Sequence, residues 1–340
     1  MEDLQARLES IRAKYGIPSL SAGLYDGLKR TVAATGVRKL GEDAPVQRDD
    51  SFHMNSCGKA VTADIIHQLA AEQRLSLSDN MAALFPELPV HADFQQVTIR
   101  DLLLHRSGIG RDAGSITEAR NSTYGQYAYS NIGYILLGMI AERATGSTYK
   151  ELVQERVFRP LGMHHSRIIL PDGEPLPHAI AWGHMADEAG GFTPSIEDTS
   201  AIYVAAGMIH ASAGDWLVFM EHLLRQPHIG EAATQGQEKA YTASAFVFKD
   251  GSLWHSGRSG LYYAEHRLLP DRQAAYVITA GAATPEAIQA VQEVGECLQR
   301  HLAGAEHTPD TSPKSDNLLA RLARFINRLG GHQQGEQQAR

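Results

Sequence analysis

The chain has 340 residues, which at roughly 150 residues per domain corresponds to about two structural units. Its 43% apolar and 21% charged residues, with 31 glycines, lie in the ordinary globular range and exclude a disordered, collagen-like or coiled-coil chain. Lys and Arg total 31 against 39 Asp and Glu, a net charge of −8, so no basic field exists to hold nucleic acid by counterion release.

In chain order, Leu4, Leu8 and Ile11 recur at helical spacing within residues 2–14, and Tyr15-Gly16-Ile17-Pro18 stops the helix. Leu20–Tyr25 and Arg30–Ala34 read as two strands joined at Asp26-Gly27 into a hairpin. Residues 56–225 then turn mostly helical, with periodic runs at 60–73, 98–104, 131–144, 148–158 and 213–225. Strand-like text resumes at Ala243–Lys249, Leu253–His255, Tyr262–Leu269 and Ala274–Ala280, and an amphipathic helix over 285–302 carries Ile288, Val291, Val294 and Leu298 on one face.

The order helix, strands, helices, strands, helix predicts an α/β unit (about 1–55 and 226–302) interrupted by a helical part (about 56–225). A cleft between the two is the place for a site. Residues 303–317 read as a polar linker, and 318–329 as a short basic helix before a Gln-rich end to residue 340. That helix is expected to dock on its own body or a second subunit, with membrane-surface contact the minor alternative.

Several chemistries find no support in the chain. Cys57 and Cys297 are too few for a disulfide framework or a four-ligand zinc site, and His164-His165, His178 and His184 have no metal-ligand spacing. No cofactor is implied. The glycine-rich Gly108–Gly114 has the wrong spacing for a phosphate loop, and Asn121-Ser122-Thr123 fits a glycosylation acceptor that has meaning only on a secretory route. The N-terminus is charged from its start with no apolar leader, and the apolar stretch Tyr134–Ala141 is far below the roughly 18 residues of a membrane span, so a cytoplasmic protein is expected.

Three short patterns carry the chemistry. Ser56 and Lys59 sit one helical turn apart on one face, where a partly desolvated lysine can take the serine proton. A second Ser-x-x-Lys, Ser147–Lys150, contains the capping pair Thr148 and Glu151 and reads as a helix start. Tyr129-Ser130-Asn131, the only Tyr-x-Asn in the chain, offers a phenol to relay protons and an amide to hold lysine and substrate. His255-Ser256-Gly257 lies on a strand whose backbone can pair with an extended substrate, and Gly257 allows close approach. Cys57, one residue from Ser56, turns about 100° away and reads as packing.

With Ser56-x-x-Lys59, Tyr129-x-Asn131 and His255-x-Gly257 in that order, the chain resembles the serine β-lactamase and penicillin-binding-protein-like family, especially its class C-like esterases and D-aminopeptidases. Ile17–Ser21, Leu75–Asp79 with Leu84-Phe85-Pro86, Ile99–Ile109 and Ala206–Asp215 extend the likeness over about residues 15–300. The resemblance implies the β-lactamase/transpeptidase-like α/β (α+β) fold: an antiparallel sheet flanked by N- and C-terminal helices, with an inserted all-helical subdomain. It also implies an acyl-enzyme in which Ser56 attacks a carbonyl, Lys59 and Tyr129 move protons, and Asn131 positions lysine and substrate. The oxyanion would be held by the backbone N–H groups of Ser56 and Arg258, with His255 on the leaving-group side.

His255 stands where many β-lactamases and DD-peptidases carry lysine, which removes a fixed charge and favours esters or neutral amides. Arg258 and the pair Tyr262-Tyr263 are expected to crowd the cleft edge. The expected partner is a small-molecule ester, amide or peptide. The alternatives are an acyltransferase using the same acyl-Ser56 in small-molecule biosynthesis, or a non-catalytic ligand-binding homologue.

Overall fold

The structure, a computed structural model, describes residues 4–87, 91–111, 124–170, 179–187, 191–196, 200–229, 240–249 and 251–304. The segment 318–329, His178 and Asn121 lie outside the described residues.

Helix α1, Leu4–Tyr15, buries Leu4, Leu8 and Ile11 and ends at Gly16, whose φ of +63° suits a residue without Cβ. The hairpin β1 (Ser19–Tyr25) and β2 (Arg30–Gly36) follows, and Asp26 Oδ1 accepts from the N–H groups of Leu28 and Lys29 in its turn. A 3-10 turn, Asn55–Gly58, leads into α2, Lys59–Ala71, which is buried from Lys59 through Ile66 and forms the centre of the helical part. Helix α3, Asn131–Thr145, starts where Ser130 Oγ accepts from Gly133 N–H and stops at Gly146 in the left-handed region. Helix α4, Ala213–Leu224, is capped by Ser212.

The chain then returns as β3 (Ala240–Tyr241), β4 (Val247–Lys249), β5 (Ser252–Arg258), β6 (Tyr263–Leu269) and β7 (Ala274–Ala280), and ends its described part with α5, Pro285–Gly304. The seven strands make one antiparallel sheet in the order β2-β1-β7-β6-β5-β4-β3. Both faces are covered. Along β7, Tyr276 and Ile278 join Leu8 of α1 and Val291 and Leu298 of α5, while Val277 joins Val61, Leu137, Trp216 and Leu217 of the helical side. Arg30 of β2 pairs with the nearly buried Glu221 of α4.

Of the expected strand 243–249 only Val247–Lys249 is strand, and it pairs with Ala240–Tyr241 before it, because the chain turns between the two, with Ala245 at φ +65° and Thr242 N–H bonded to Phe246 O. The expected helix 148–158 is α-helical only over Tyr149–Val153, widens at Gln154–Phe158, and regains an α turn at Arg159–Leu161. The last helix runs to Gly304, past the start expected for the linker. Within the mainly helical stretch, Ile209–Ala211 pairs with both Phe52–His53 and Arg167–Ile168, and Gly183–Ala186 pairs with Phe192–Ser195. Strands of two to four residues are too short to show a period of two.

Candidate active site

The site forms where the end of β5 meets the turn Asn55–Gly58. Met54 N–H bonds Ile209 O at 2.8 Å, and buried Asn55 sits at φ +49° with its side-chain amide reaching Tyr262 O at 3.3 Å. Positive φ at a buried non-glycine residue is a strained backbone held by its surroundings, and it comes immediately before Ser56. Gly257 of β5 presses on the same turn. A Cβ there would lie 2.5 Å from Met54 O and 2.7 Å from Ser56 N, so only glycine lets the strand run this close.

Ser56, first in that turn after Asn55, and Lys59, first in α2, face each other as expected. Lys59 is fully buried, and its Nζ lies 2.6 Å from Ala206 O, 2.9 Å from Asn131 Oδ1 and 3.2 Å from Ser56 Oγ. Tyr129 Oη donates to the same Oγ at 2.8 Å. Burial pushes the Tyr129 phenol well above its ordinary range, with the Ser56 hydrogen bond opposing, so at neutral pH it holds its proton. Tyr129 is anchored through its neighbour: Ser130 N–H donates to His105 Nδ1 at 3.1 Å, and Ser130 Oγ donates to Gly110 O.

His255 is buried within β5, and its Nδ1 lies 2.7 Å from Ser256 O. Desolvation first, then the nearby Lys59 charge, lower its pKa to about 3, so the imidazole is neutral. Strand alternation turns His255 and Gly257 to one face of the sheet and Ser256 and Arg258 to the other. The side chain of Arg258 is therefore not in the cleft as expected. Its Nη2 donates to Ala283 O just ahead of α5. Tyr262 and Tyr263 also leave the cleft edge. Tyr262 donates to Ala181 O and packs on His53 and His210, while Tyr263 lies in the core beneath α1 and α5.

The structure thus brings Ser56, Lys59, Tyr129 and Asn131 into one hydrogen-bonded group, with the backbone at Gly257 against it and His255 beside it. Cys57 points away: it is fully buried, with Sγ 3.8 Å from His255 O, and desolvation raises its thiol pKa far from reactivity. Among the described residues no three His, Cys, Asp or Glu side chains come together as a metal site, and no helix is long and apolar enough to cross a membrane. Two contributors had no reading as site residues. Ala206 acts through its carbonyl, and its only signal was its place in the family-like segment Ala206–Asp215. His105 likewise lies within Ile99–Ile109.

The family described as Beta-lactamase matches residues 4–293. The putative penicillin-binding protein PbpX of Bacillus subtilis (strain 168) is 30% identical over 216 residues, covering 58% of this chain and 54% of its own length. The structure of SurE aligns with TM-score 0.75 at 22% identity, covering 92% of this chain and 80% of that one. A class C beta lactamase from Rhodobacter sphaeroides aligns with TM-score 0.74 at 19% identity, covering 88% and 99%. The chain spans about half the length of the curated relatives it matches. The fold is that of these β-lactamase-like structures, an α/β arrangement with an antiparallel sheet.

Proposed function

The chain belongs to the Beta-lactamase family, and from that premise we propose that it is a serine hydrolase cleaving an ester or amide through an acyl intermediate on Ser56. The observation that carries this reading is the convergence of Lys59 Nζ and Tyr129 Oη on Ser56 Oγ, at 3.2 and 2.8 Å. Lys59 serves as the base. Its two shortest contacts are to oxygens that only accept, Ala206 O and Asn131 Oδ1, so the amine, once it has given up a proton, commits its two N–H bonds there and turns its lone pair to Oγ.

Ser56 Oγ then attacks the carbonyl carbon as its proton passes to Lys59. The negative charge developing on the carbonyl oxygen is met by the backbone N–H groups of Ser56 and Arg258, the residue after Gly257. The C–O or C–N bond breaks, and the leaving group takes a proton from Tyr129, which regains one from Lys59. Water adds to acyl-Ser56 by the reverse steps and releases the acid. The neutral, buried His255 places no positive charge at the leaving-group side, which supports esters and neutral amides as substrates.

A fluorophosphonate serine probe followed by intact-protein mass spectrometry tests the nucleophile without a chosen substrate. One adduct is expected on the native chain and none on a folded Ser56→Ala variant. An equal adduct on both, or none on either, ends the assignment. Product analysis with added amines or alcohols then identifies the acyl acceptor, water for a hydrolase and the added nucleophile for an acyltransferase.

A further inference from the structure

Beneath His255 lies Tyr241 of the edge strand β3, only 1% exposed, with Oη 3.3 Å from His255 Nε2. The rings meet edge to face, centroids 5.8 Å apart at 75°. On the other side of the imidazole, Nδ1 faces a backbone carbonyl, Ser256 O, at 2.7 Å. A carbonyl only accepts, so Nδ1 carries the hydrogen. In a neutral ring Nε2 is then the lone pair, and the Tyr241 hydroxyl must be its donor.

A second histidine frames the same tyrosine. The ring of His105 lies between Tyr241 and Tyr129, at centroid distances of 4.6 and 4.4 Å, and its Nδ1 accepts from Ser130 N–H, which puts its proton on Nε2. Tyr134, whose ring also touches His105, gives its proton to Leu103 O. The Tyr134 hydroxyl is hydrogen-bonded with that of Tyr241 as well, so the single Tyr241 proton faces two acceptors, Tyr134 Oη and His255 Nε2, while the two imidazoles take opposite tautomers.

We propose that Tyr241 is a positioning residue for the reaction at Ser56: by donating to Nε2 it holds His255 in the Nδ1–H tautomer, with its lone pair turned into the protein. So held, His255 offers the leaving group neither a proton nor a charge, and proton delivery falls to Tyr129. Without the hydroxyl, the buried Nε2 loses its partner, and the ring turns or takes up a proton beside Lys59. This rests on the acyl-Ser56 reading above.

The test pairs a spectroscopic with a kinetic readout on the full chain. In ¹⁵N spectra of histidine side chains, assigned with a His255→Ala variant, native His255 is expected to show Nδ1 protonated and Nε2 as a hydrogen-bonded acceptor. Tyr241→Phe should move the Nε2 resonance by several ppm. With an ethyl ester, whose alkoxide leaves only when protonated, Tyr241→Phe is expected to lower kcat about tenfold with KM within about twofold, and to add less than about twofold in a His255→Ala background. An unmoved Nε2 resonance, an unchanged kcat, or losses that multiply in the double variant overturn the proposal. Should Tyr241→Phe fold poorly, the native spectrum decides by itself: an Nε2 of His255 that is protonated, or that accepts no hydrogen bond, overturns the proposal. Fluorophosphonate labelling of the native chain separates the two readings. An unlabelled Ser56 refutes the acyl-enzyme, whereas a labelled Ser56 with an unmoved His255 refutes the role of Tyr241 alone.

Discussion

Ser56 Oγ has two partners with different chemistry, and they predict separable losses. Tyr129 holds its proton at neutral pH because burial disfavours the phenolate, so its part is to give a proton and take it back. Tyr129→Phe keeps the ring against His105 and removes only that exchange. The expected result is a fall in kcat of about 10²- to 10⁴-fold with a folded protein and a Ser56 still open to the fluorophosphonate. Steady-state kinetics beside probe labelling checks it, and an unaffected kcat would remove Tyr129 from the proton path. The side chains of this group were legible in the chain because Ser-x-x-Lys and Tyr-x-Asn are local patterns. Ala206 was not, since it acts through a carbonyl that every residue has. Tyr241 was not either, because it belongs to a two-residue strand and meets His255 fourteen positions away across the sheet edge.

At the scale of elements, the site depends on how closely β5 approaches the turn Asn55–Gly58. Gly257→Ala sets a methyl 2.5 Å from Met54 O and 2.7 Å from Ser56 N, and since both are backbone atoms the strand must retreat. Overpacking of this kind costs about 1–3 kcal/mol. A displacement near 1 Å at the reacting carbonyl costs on the order of 10²-fold in rate. Calorimetry together with kcat/KM checks both, and a variant with native melting temperature and native rate would show that the strand is not confined there. Helix boundaries followed from their chemistry: Ser130 and Ser212 cap α3 and α4, and Gly146 stops α3. The small strands around Ile209–Ala211 did not, because pairing Phe52–His53 with residues more than 150 positions away leaves no local trace.

For the whole molecule, the buried histidines tie stability to pH. Burial lowers the pKa of His255 to about 3 and of His228 to about 4, and holds His105, His210 and His266 well below the ordinary value near 6.5. Between about pH 4 and 6.5 the unfolded chain therefore binds protons that the folded chain refuses. Their contribution is fully present above about 6.5 and is lost as pH falls toward the folded values. The urea midpoint is expected to drop between pH 7.5 and pH 5. A midpoint that holds or rises over that interval would mean these imidazoles are charged or solvated in the folded protein.

The amphipathic ends, the hairpin, the polar triplets and their order along the chain are all properties of neighbouring residues, and spacing and capping chemistry are enough to read them. The sheet order that returns β7 to β1 is a matter of long-range pairing, as is the turning of Arg258 away from the cleft toward Ala283. So is the meeting of Lys59 with Asn131, 72 positions away, and with Ala206, 147 away. Those contacts exist because burying both faces of one sheet forces distant segments together, and no stretch of sequence shorter than the whole core contains that constraint.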